Sequence, residues 1–276
     1  MKQGKAAVTG AAGYIGSRLC EFLRHEGYEV LELRRDVSSY DLRHDVDAAT
    51  LRGVELLVHC AHDFSCRRLD EMLEVNLGGS VRLFDAARAA GVRRTVFMST
   101  MSSFDGCRSE YGRVKLATEA QAARRGVLVV RPGLVFAGGA GGMVGSMTRL
   151  VRDRTILPMV GNGNHELYLC HVDDLCRLVL EAARRPSGEI RAPLVAAAEQ
   201  SLTFKRILQR LAAAQGKRVV LVPVPWRLIW LGLVVVERLG LNLRFRSDSL
   251  IGLVNSDPHP DFSATRSLGL SFRDLG

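Results

Sequence analysis

Short apolar runs alternate with helix-like stretches along the first two thirds of the chain. The runs predicted to form buried strands occupy residues 5–8, 29–33, 54–60, 95–99 and 127–131. Apolar residues recur at helical spacing in segments 17–23, 46–51, 72–90 and 111–125. Because strand and helix alternate, the pattern predicts an α/β fold in which a doubly wound parallel sheet has helices on both faces.

The pattern becomes less regular after residue 136. Glycines cluster at 138–142, a turn is predicted at 161–164, and helices are predicted at 143–152 and 175–184. Most prolines of the chain lie beyond residue 190. We therefore expect a smaller lobe that closes over the carboxyl edge of the sheet, where open α/β sheets bind their ligands.

Three glycines follow the first predicted strand at regular spacing. Gly10, Gly13 and Gly16 form a G-x-x-G-x-x-G pattern between this strand and the first predicted helix. Such a turn presents bare backbone and the positive end of a helix to a dinucleotide pyrophosphate. With the intervening residues Ala12, Tyr14 and Ile15 it forms a predicted cofactor-binding turn. The alternative is a plain turn between strand and helix.

Because the glycine turn lies in the first part of the chain, that part is predicted to bind the dinucleotide and the second part to bind the substrate. Residues 1–137 and 166–187 are assigned to a dinucleotide-binding Rossmann domain. Residues 138–165 and 188–276 are assigned to a smaller C-terminal substrate-binding lobe.

The charge and the cysteine pattern of the chain limit the kinds of ligand that it is expected to bind. The formal net charge is +9, but the arginines are scattered, and no basic run carries interleaved aromatics. Nucleic-acid binding is therefore not expected, whereas anionic small molecules such as sugar nucleotides suit a positive surface. None of the six cysteines forms a C-x-x-C pair, so we predict reduced core thiols, a cytoplasmic protein and no metal site.

Two apolar segments bear on membrane association. The one near residue 6 is the first strand, so no signal peptide is predicted. The segment from Leu228 to Val236 is bounded by Arg227 and Glu237 and is too short to span a bilayer. It is interpreted as a core helix, and contact with a membrane surface is the alternative.

A second constellation lies in the predicted helix 111–125. Tyr111 and Lys115 stand at i and i+4, so they share one helix face. An ammonium beside a phenol lowers the phenol pKa, which lets the tyrosine exchange a proton near neutral pH. The preceding strand ends in Ser99, Thr100, Ser102 and Ser103, whose hydroxyls could hold a reacting oxygen. The alternative is an ordinary pair on a surface helix.

Taken together, these motifs resemble the extended short-chain dehydrogenase/reductases of the NAD-dependent epimerase/dehydratase family. The resemblance covers about residues 5–185. Its motifs are the glycine turn, Asp45-Val46, residues 58–61, Asn76, Ser99-Thr100, Tyr111-x-x-x-Lys115, residues 131–133 and residues 171–175.

The resemblance implies a role for each matching residue. Tyr111 would be the acid/base, Lys115 would bind the nicotinamide ribose, and Thr100 would polarise the substrate carbonyl. Asp45 would meet the adenine, and Asn76 would support the helix that carries Tyr111; a helix cap or a satisfied core group is the alternative for both. The implied cofactor contacts outside the turn are Arg34, Arg35, Asp45, Val46, Cys60, Ala61, His62, Asn76, Ser99, Tyr111, Lys115, Pro132 and Val135.

The chain departs from the family pattern at two places. Counting from the strand places the catalytic hydroxyl at Thr100, whereas counting back from Gly106 places it at Met101, which cannot donate. Thr100 is therefore preferred, with Ser102 as the alternate. His62 stands where small residues are common, and it either faces the substrate or is a solvated loop histidine.

The second predicted strand indicates which dinucleotide binds. Arg34 and Arg35 follow it, at the place where NAD-preferring sites carry a carboxylate. A guanidinium suits a 2′-phosphate, so NADP is favoured over NAD, although Asp36 could still serve NAD.

These residues predict an NAD(P)-dependent enzyme that transfers hydride at a hydroxyl or keto carbon. A nucleotide sugar is the first expected substrate, through epimerisation or 4-keto reduction. A reductase or 3β-hydroxy-dehydrogenase of an apolar alcohol is the alternative, and a non-catalytic nucleotide-binding scaffold is the second. By the resemblance, helices 72–90 and 111–125 would pair across a two-fold axis in a homodimer.

Overall fold

The computed structural model describes residues 3–38, 40–137, 141–186, 188–241 and 245–275. Residues 138–140 of the predicted glycine cluster lie outside this described part. The strands are β1 (Lys5–Thr9), β2 (Glu29–Leu33), β3 (Val54–His59), β4 (Arg94–Met98), β5 (Leu128–Pro132), β6 (Leu134–Phe136), β7 (Ile156–Val160), β8 (Glu166–Leu167), β9 (Leu169–His171), β10 (Leu194–Ala196), β11 (Leu202–Thr203) and β12 (Val220–Val224).

Helices connect most of these strands. They are α1 (Tyr14–His25), α2 (Arg35–Ser38), α3 (Leu69–Met72), α4 (Gly79–Ala89), α5 (Glu110–Arg124), α6 (Gly142–Asp153), α7 (Val172–Arg184), α8 (Phe204–Ala213), α9 (Trp226–Arg238), α10 (Ser247–Val254) and α11 (Ser263–Arg266). A 3₁₀ turn at Ala48–Leu51 precedes β3, and a π-helical segment, Leu73–Gly78, joins α3 to α4.

The main sheet has six strands in the order β10-β5-β4-β3-β1-β2, and every pairing in it is parallel. The strand order reverses beside β1, so the switch point of the sheet lies between β1 and β3, where ligands of such folds bind. The predicted doubly wound α/β fold is confirmed.

Alternate residues of the strands point to opposite faces of the sheet. Ala6 and Val8 of β1 belong to a buried cluster that includes side chains of α1 and α7. Ala7 belongs to the opposite cluster, with side chains of α4 and α5. Helices therefore cover both faces, which explains why these strands are almost continuously apolar.

A second, smaller core is built from α6, α8 and the parallel pair β7–β12. It includes Val151, Leu157 and Ile207, which are fully buried. The predicted division at residue 187 stays a prediction. The structure places β10 in the main sheet beside β5, and it places Arg273 of the tail against Asp174 of α7, a carboxylate only 3% exposed.

A chain of hydrogen bonds connects the end of β1 with the π-helical segment. Thr9 Oγ1 lies 2.6 Å from His59 Nδ1, and His59 Nε2 lies 2.9 Å from Ser80 Oγ. The Ser80 hydroxyl donates to the carbonyl of Asn76, and the amide of Ala61 donates to Thr9 Oγ1. Since Ser80 already donates, its oxygen accepts from His59, whose proton therefore sits on Nε2.

His59 is held neutral by this arrangement. It is completely buried, and burial, followed by the charge of Lys115, lowers its pKa to about 3. Protonation would place a second donor on Nδ1, where Thr9 already donates. The chain of hydrogen bonds thus fixes both the tautomer and the charge state of the imidazole.

The neutral His59 predicts a pH dependence of stability. In the unfolded chain the imidazole takes up a proton near its usual pKa of about 6.5, whereas in the folded chain it stays neutral down to about pH 3. The neutral imidazole therefore contributes fully to the free energy of unfolding above about pH 6.5. Below this pH the free energy of unfolding declines by about 1.4 kcal/mol per pH unit. Urea unfolding between pH 7 and about pH 4.5 measures this slope.

Histidine substitutions separate this contribution from the rest of the chain. His59→Gln should flatten the decline of the unfolding free energy, whatever its stability at pH 7. His25→Gln is the control, since the His25 side chain is 88% exposed, and it should keep the wild-type slope. Equal slopes for wild type and His59→Gln would contradict the account.

Candidate functional site

The glycine turn connects β1 to α1 at the switch point. Gly10 has a φ of +65°, and a Cβ there would lie 2.9 Å from the backbone nitrogen of Ala61. A Cβ on Gly16 would clash with the carbonyl oxygen of Gly10. Gly10 therefore allows the turn to lie against the loop after β3, and Gly16 allows α1 to pack against the turn.

The start of α1 has the features of an anion site. Gly13 is its N-cap, and no side chain of the described residues caps it there. Ala12 and Gly13 are exposed, so the first backbone amides of the helix are accessible to a phosphate. Ile15 packs into the core, and the Tyr14 ring lies against Gly141. The buried Tyr14 hydroxyl has no hydrogen-bond partner in the described part of the chain. The turn fits a dinucleotide pyrophosphate.

Tyr111, Lys115 and Thr100 converge at the carboxyl end of β4. Tyr111 lies in the first turn of α5, and Lys115 follows one turn later. Lys115 Nζ donates to the carbonyl of Met98 over 2.7 Å and lies 5.9 Å from the centroid of the Tyr111 ring. Thr100 directly follows β4, and its side chain interacts with the Tyr111 phenol. The expected trio therefore comes together, although its residues belong to two elements.

The electrostatics of this trio correct one expectation. Burial raises the pKa of Tyr111 to about 12, and the hydrogen bond with Thr100 only partly opposes it. The expected lowering of the phenol pKa by Lys115 is not found, because the ammonium is directed to the Met98 carbonyl. Burial in turn lowers the pKa of Lys115 to about 8. The phenol thus holds its proton at neutral pH.

The other hydroxyls of the cluster have different surroundings. Ser102 Oγ lies near α10, 3.8 Å from the place that a Cβ on Gly252 would take. Ser99 Oγ donates to the Glu119 carboxylate, which also accepts from Arg131. Of these three side chains, Thr100 acts on the Tyr111 phenol and lowers its pKa, which supports it over Ser102 as the polarising hydroxyl.

Asn76 holds the loop that follows β3. Its Oδ1 accepts from the amide of Asp63 over 2.6 Å, and its Nδ2 donates to the carbonyl of the same residue. Asn76 lies in the π-helical segment, a feature often found at functional sites. The expected role was support of the helix that carries Tyr111. The contacts observed here are with the loop that carries His62.

His62 packs directly against Tyr111. The two rings meet edge to face with centroids 5.0 Å apart. The Phe64 ring is stacked on Tyr111 with centroids 5.9 Å apart. Burial, followed by the charge of Lys115, lowers the pKa of His62 well below its usual value. Its Nε2 is buried and has no hydrogen-bond partner among the residues that the structure describes. Of the two expected alternatives, the structure supports a residue of the site over a solvated histidine.

The other residues predicted to contact the cofactor are spread over several elements outside the trio. Arg34 donates to Asp36 over 2.8 and 2.6 Å and to Glu32 over 3.2 Å, whereas the Arg35 side chain is 72% exposed. Asp45 is 93% exposed and pairs with Arg82, so it does not lie in an enclosed pocket. Cys60, Ala61, Pro132 and Val135 lie at the ends of β3 and β5 and in β6, and Val46 packs with the second core cluster.

Sequence reasoning missed the support that α10 gives to α5, the helix that carries Tyr111. Asp248 accepts from the amides of Glu110 and Tyr111 over 2.7 and 3.0 Å. Arg246 donates to the carbonyls of Phe64 and Cys66, in the loop beside His62. A carboxylate at the start of α5 is favourable for the helix dipole. No local spacing indicates this contact, because 137 residues separate Tyr111 from Asp248.

Comparisons with known proteins agree with this geometry. A model of the NAD dependent epimerase/dehydratase family matches residues 6–192. A protein named ceramide reductase from Caulobacter vibrioides is 26% identical over 239 residues, which cover 81% of this chain and 74% of that protein. A UDP-glucose 4-epimerase from Vibrio cholerae is 25% identical over 261 residues, covering 81% and 78%.

Solved structures show the same fold. The structure of MoeE5 in complex with UDP-glucose and NAD has a TM-score of 0.75 and 22% identity, and covers 98% of this chain and 94% of its own. UDP-glucose 4-epimerase from Thermotoga maritima with UDP-glucose has a TM-score of 0.67 and 22% identity, and covers 90% of this chain and 96% of its own.

Within the described residues, no helix is long and apolar enough to cross a membrane.

The packing of Gly16 predicts the effect of a single methyl group. Gly16→Ala would push the Gly10 carbonyl away from α1 and distort the phosphate-binding amides. We expect dinucleotide affinity to fall at least about tenfold, or about 1.4 kcal/mol, in a fluorescence titration. Gly232→Ala is the control, since a Cβ there meets nothing within 4 Å and should leave the affinity unchanged. Wild-type affinity in Gly16→Ala would contradict the proposed binding mode.

Proposed function

The chain belongs to the NAD dependent epimerase/dehydratase family, and we propose that it is an enzyme in which Tyr111 moves a proton while hydride passes between a nicotinamide dinucleotide and a carbon bearing oxygen. The observation that carries this proposal is the convergence of Tyr111, Lys115 and Thr100 after β4. The glycine turn follows β1, and the carboxyl ends of parallel strands meet at one edge of a sheet.

Each side chain of the trio has its own role in the proposed reaction. When bound, the nicotinamide supplies or takes up the hydride. Thr100 Oγ1 would donate a hydrogen bond to the substrate oxygen, and the Tyr111 hydroxyl would give this oxygen its proton in the direction of reduction. The raised pKa of Tyr111, about 12, suits a proton donor. Lys115 is placed to bind a ribose hydroxyl if its Nζ leaves the Met98 carbonyl.

A nucleotide sugar is the first proposed substrate. The support comes from the Vibrio cholerae relative, named a UDP-glucose 4-epimerase, and from the net charge of +9, which favours anionic ligands. Either epimerisation or 4-keto reduction agrees with the trio, since both need one acid/base beside the transferred hydride. In epimerisation the hydride returns to the opposite face of the sugar carbon.

Reduction of an apolar ketone is the second candidate. The relative named ceramide reductase matches over four fifths of this chain. The apolar helix α9 supports the same substrate class, because it packs beside α10, next to the helix that carries Tyr111. Retention of both Tyr111 and Lys115 speaks against a non-catalytic scaffold.

We also propose NADP as the preferred cofactor. Arg34 stands directly after β2, where the 2′-substituent of the adenosine ribose is read. Its guanidinium already contacts Glu32 and Asp36, so a 2′-phosphate would replace carboxylate oxygens as its partner. Arg35, whose side chain is mostly exposed, is a second cation at the same edge.

The remaining proposals concern the setting of the enzyme. All six cysteines are free thiols, which agrees with a reducing cytoplasmic environment. A homodimer through α4 and α5 is proposed, because these helices lie side by side on one face of the sheet.

Tyr111→Phe tests the proposed reaction. Loss of the hydroxyl should lower kcat by about 10²–10⁴, while dinucleotide affinity stays within about threefold. Turnover is measured with NADPH or NADH on UDP-4-keto sugars and on long-chain ketones, and epimerisation is measured with UDP-glucose. The substrate that turns over decides between the two candidates.

A second tyrosine provides the control for this experiment. Tyr28→Phe removes a hydroxyl from a ring that packs partly buried on the first core cluster, away from the trio, and should keep wild-type turnover. Undiminished turnover in Tyr111→Phe would rule out the assigned proton donor. Absence of turnover with every substrate in the wild type, with dinucleotide bound, would favour the scaffold.

Arg34→Ala tests the cofactor preference. Removal of the guanidinium should weaken NADP binding about tenfold or more and leave NAD binding nearly unchanged, since only NADP carries the 2′-phosphate. Isothermal titration gives both affinities. Arg24→Ala is the matched control, because Arg24 also pairs with Glu32 but projects from α1. Equal losses for the two cofactors would contradict the assignment.

A further inference from the structure

We propose that the outer side of α9 binds an anionic membrane surface, with the helix lying in the plane of the lipid headgroups. The proposal goes beyond the proposed reaction and does not depend on it. It rests on the distribution of apolar and charged side chains around this helix, and on what the opposite side of the helix supports.

The inner side of α9 belongs to the core of the small lobe. Trp226, Ile229, Trp230 and Leu233 are partly buried and pack against this core. Their spacing of three, one and three residues places them on one side of the helix. This side satisfies the hydrophobic requirement of the lobe, and a lobe helix normally has a polar opposite side.

The outer side of α9 is apolar instead. Leu228, Leu231, Val235 and Leu239 follow one another at intervals of three and four residues, and they are 61%, 54%, 49% and 72% exposed. We call these four residues the outer stripe. No described segment of the chain covers the outer stripe. Its large side chains remain in water although the inner side is packed, and this is the pattern of an interaction surface.

The charges of α9 identify the partner. Arg227 and Arg238 are both exposed and stand eleven residues apart, about three full turns, so they lie along the same edge of the outer stripe. The sole carboxylate of the helix, Glu237, faces inward and accepts from the amide and hydroxyl of Ser247, each over 2.7 Å. The exposed side therefore combines apolar side chains with cations, which complements anionic headgroups.

The size of the helix fixes how it would bind. Its 13 residues extend over about 20 Å, which is too short to cross a bilayer. A helix of this kind lies at the interface, with leucine and valine below the headgroups and the arginine heads among them.

A second copy of the chain is a less suitable occupant. In a two-fold antiparallel contact between outer stripes, Arg227 of one copy would face Arg238 of the other. The inward Glu237 is already used by Ser247 and cannot neutralise this pair. Like charges at a contact disfavour association, whereas an anionic surface is attracted by both arginines.

The inner side of α9 connects the docking surface to the catalytic site. Glu237 holds Ser247 at the start of α10, the next residue, Asp248, accepts from the amide of Tyr111, and the preceding Arg246 donates to the Phe64 carbonyl. Two hydrogen-bonded links, Glu237 with Ser247 and Asp248 with Tyr111, therefore connect α9 to the helix that carries Tyr111. Docking would place the substrate site close to the membrane surface, where an apolar ketone is concentrated.

Vesicle sedimentation tests the proposal with the full chain. Vesicles of phosphatidylcholine alone are compared with vesicles that also contain about 30% phosphatidylglycerol. We expect binding at least about tenfold tighter to the anionic vesicles at low salt, and a clear loss at high salt. The variant L231Q/V235Q should lose at least about tenfold, and R227Q/R238Q should lose the preference for anionic vesicles.

Matched controls exclude a general effect of the substitutions. L150Q/R152Q changes an exposed leucine and an exposed arginine on α6 and should bind vesicles like the wild type. Tyr111→Phe should also bind like the wild type, so failure of the proposed reaction leaves vesicle binding intact. Circular dichroism establishes that each variant is folded.

Three outcomes would overturn the proposal. One is equal or absent binding to both vesicle types, and another is wild-type binding by L231Q/V235Q. The third is a change of oligomeric state in this variant by light scattering, which would make the outer stripe an interface between copies. A dimer that persists in L231Q/V235Q agrees with membrane docking and leaves the proposed α4–α5 contact in place.

Discussion

The fold around the glycine turn depends on an imidazole that must remain uncharged. His59 Nδ1 accepts a hydrogen bond from the Thr9 hydroxyl, and Nε2–H donates one to Ser80, whose hydroxyl donates to the Asn76 carbonyl. The chain joins β1, β3 and the π-helical segment, which in turn holds the loop beside Tyr111. Because Thr9 already donates to Nδ1, an extra proton on this nitrogen would oppose that hydrogen bond.

Features that depend on short separations were predictable from the sequence. The alternation of strand and helix gives the parallel sheet, since each βαβ unit has one favoured hand. The glycines at intervals of three gave the turn, and the spacing of Tyr111 and Lys115 gave one helix face. The position of Thr100 after β4 was predictable too, because the end of an apolar strand places the next side chains at the ligand edge of the sheet.

Features that depend on distant residues were not predictable. Asp248 reaches α5 across 137 residues, and Arg246 reaches the loop at Phe64 across 182. The direction of the Lys115 ammonium was also missed, because the Met98 carbonyl is positioned by β4 and not by the helix. For this reason the expectation that Lys115 lowers the pKa of Tyr111 was wrong. A periodic pattern records which face a residue takes, but not which partner lies there.

The Asp248 cap has a consequence for the order of events in the site. The Asp248 carboxylate of α10 accepts from the first amides of α5, the helix that carries the proposed proton donor Tyr111. Any ligand that draws α10 inward therefore tightens the start of α5, and any loosening of α10 frees it. A ligand that moved α10 and so changed the proton affinity of the phenol would itself bind with an affinity changed by the same free energy when the phenol is deprotonated.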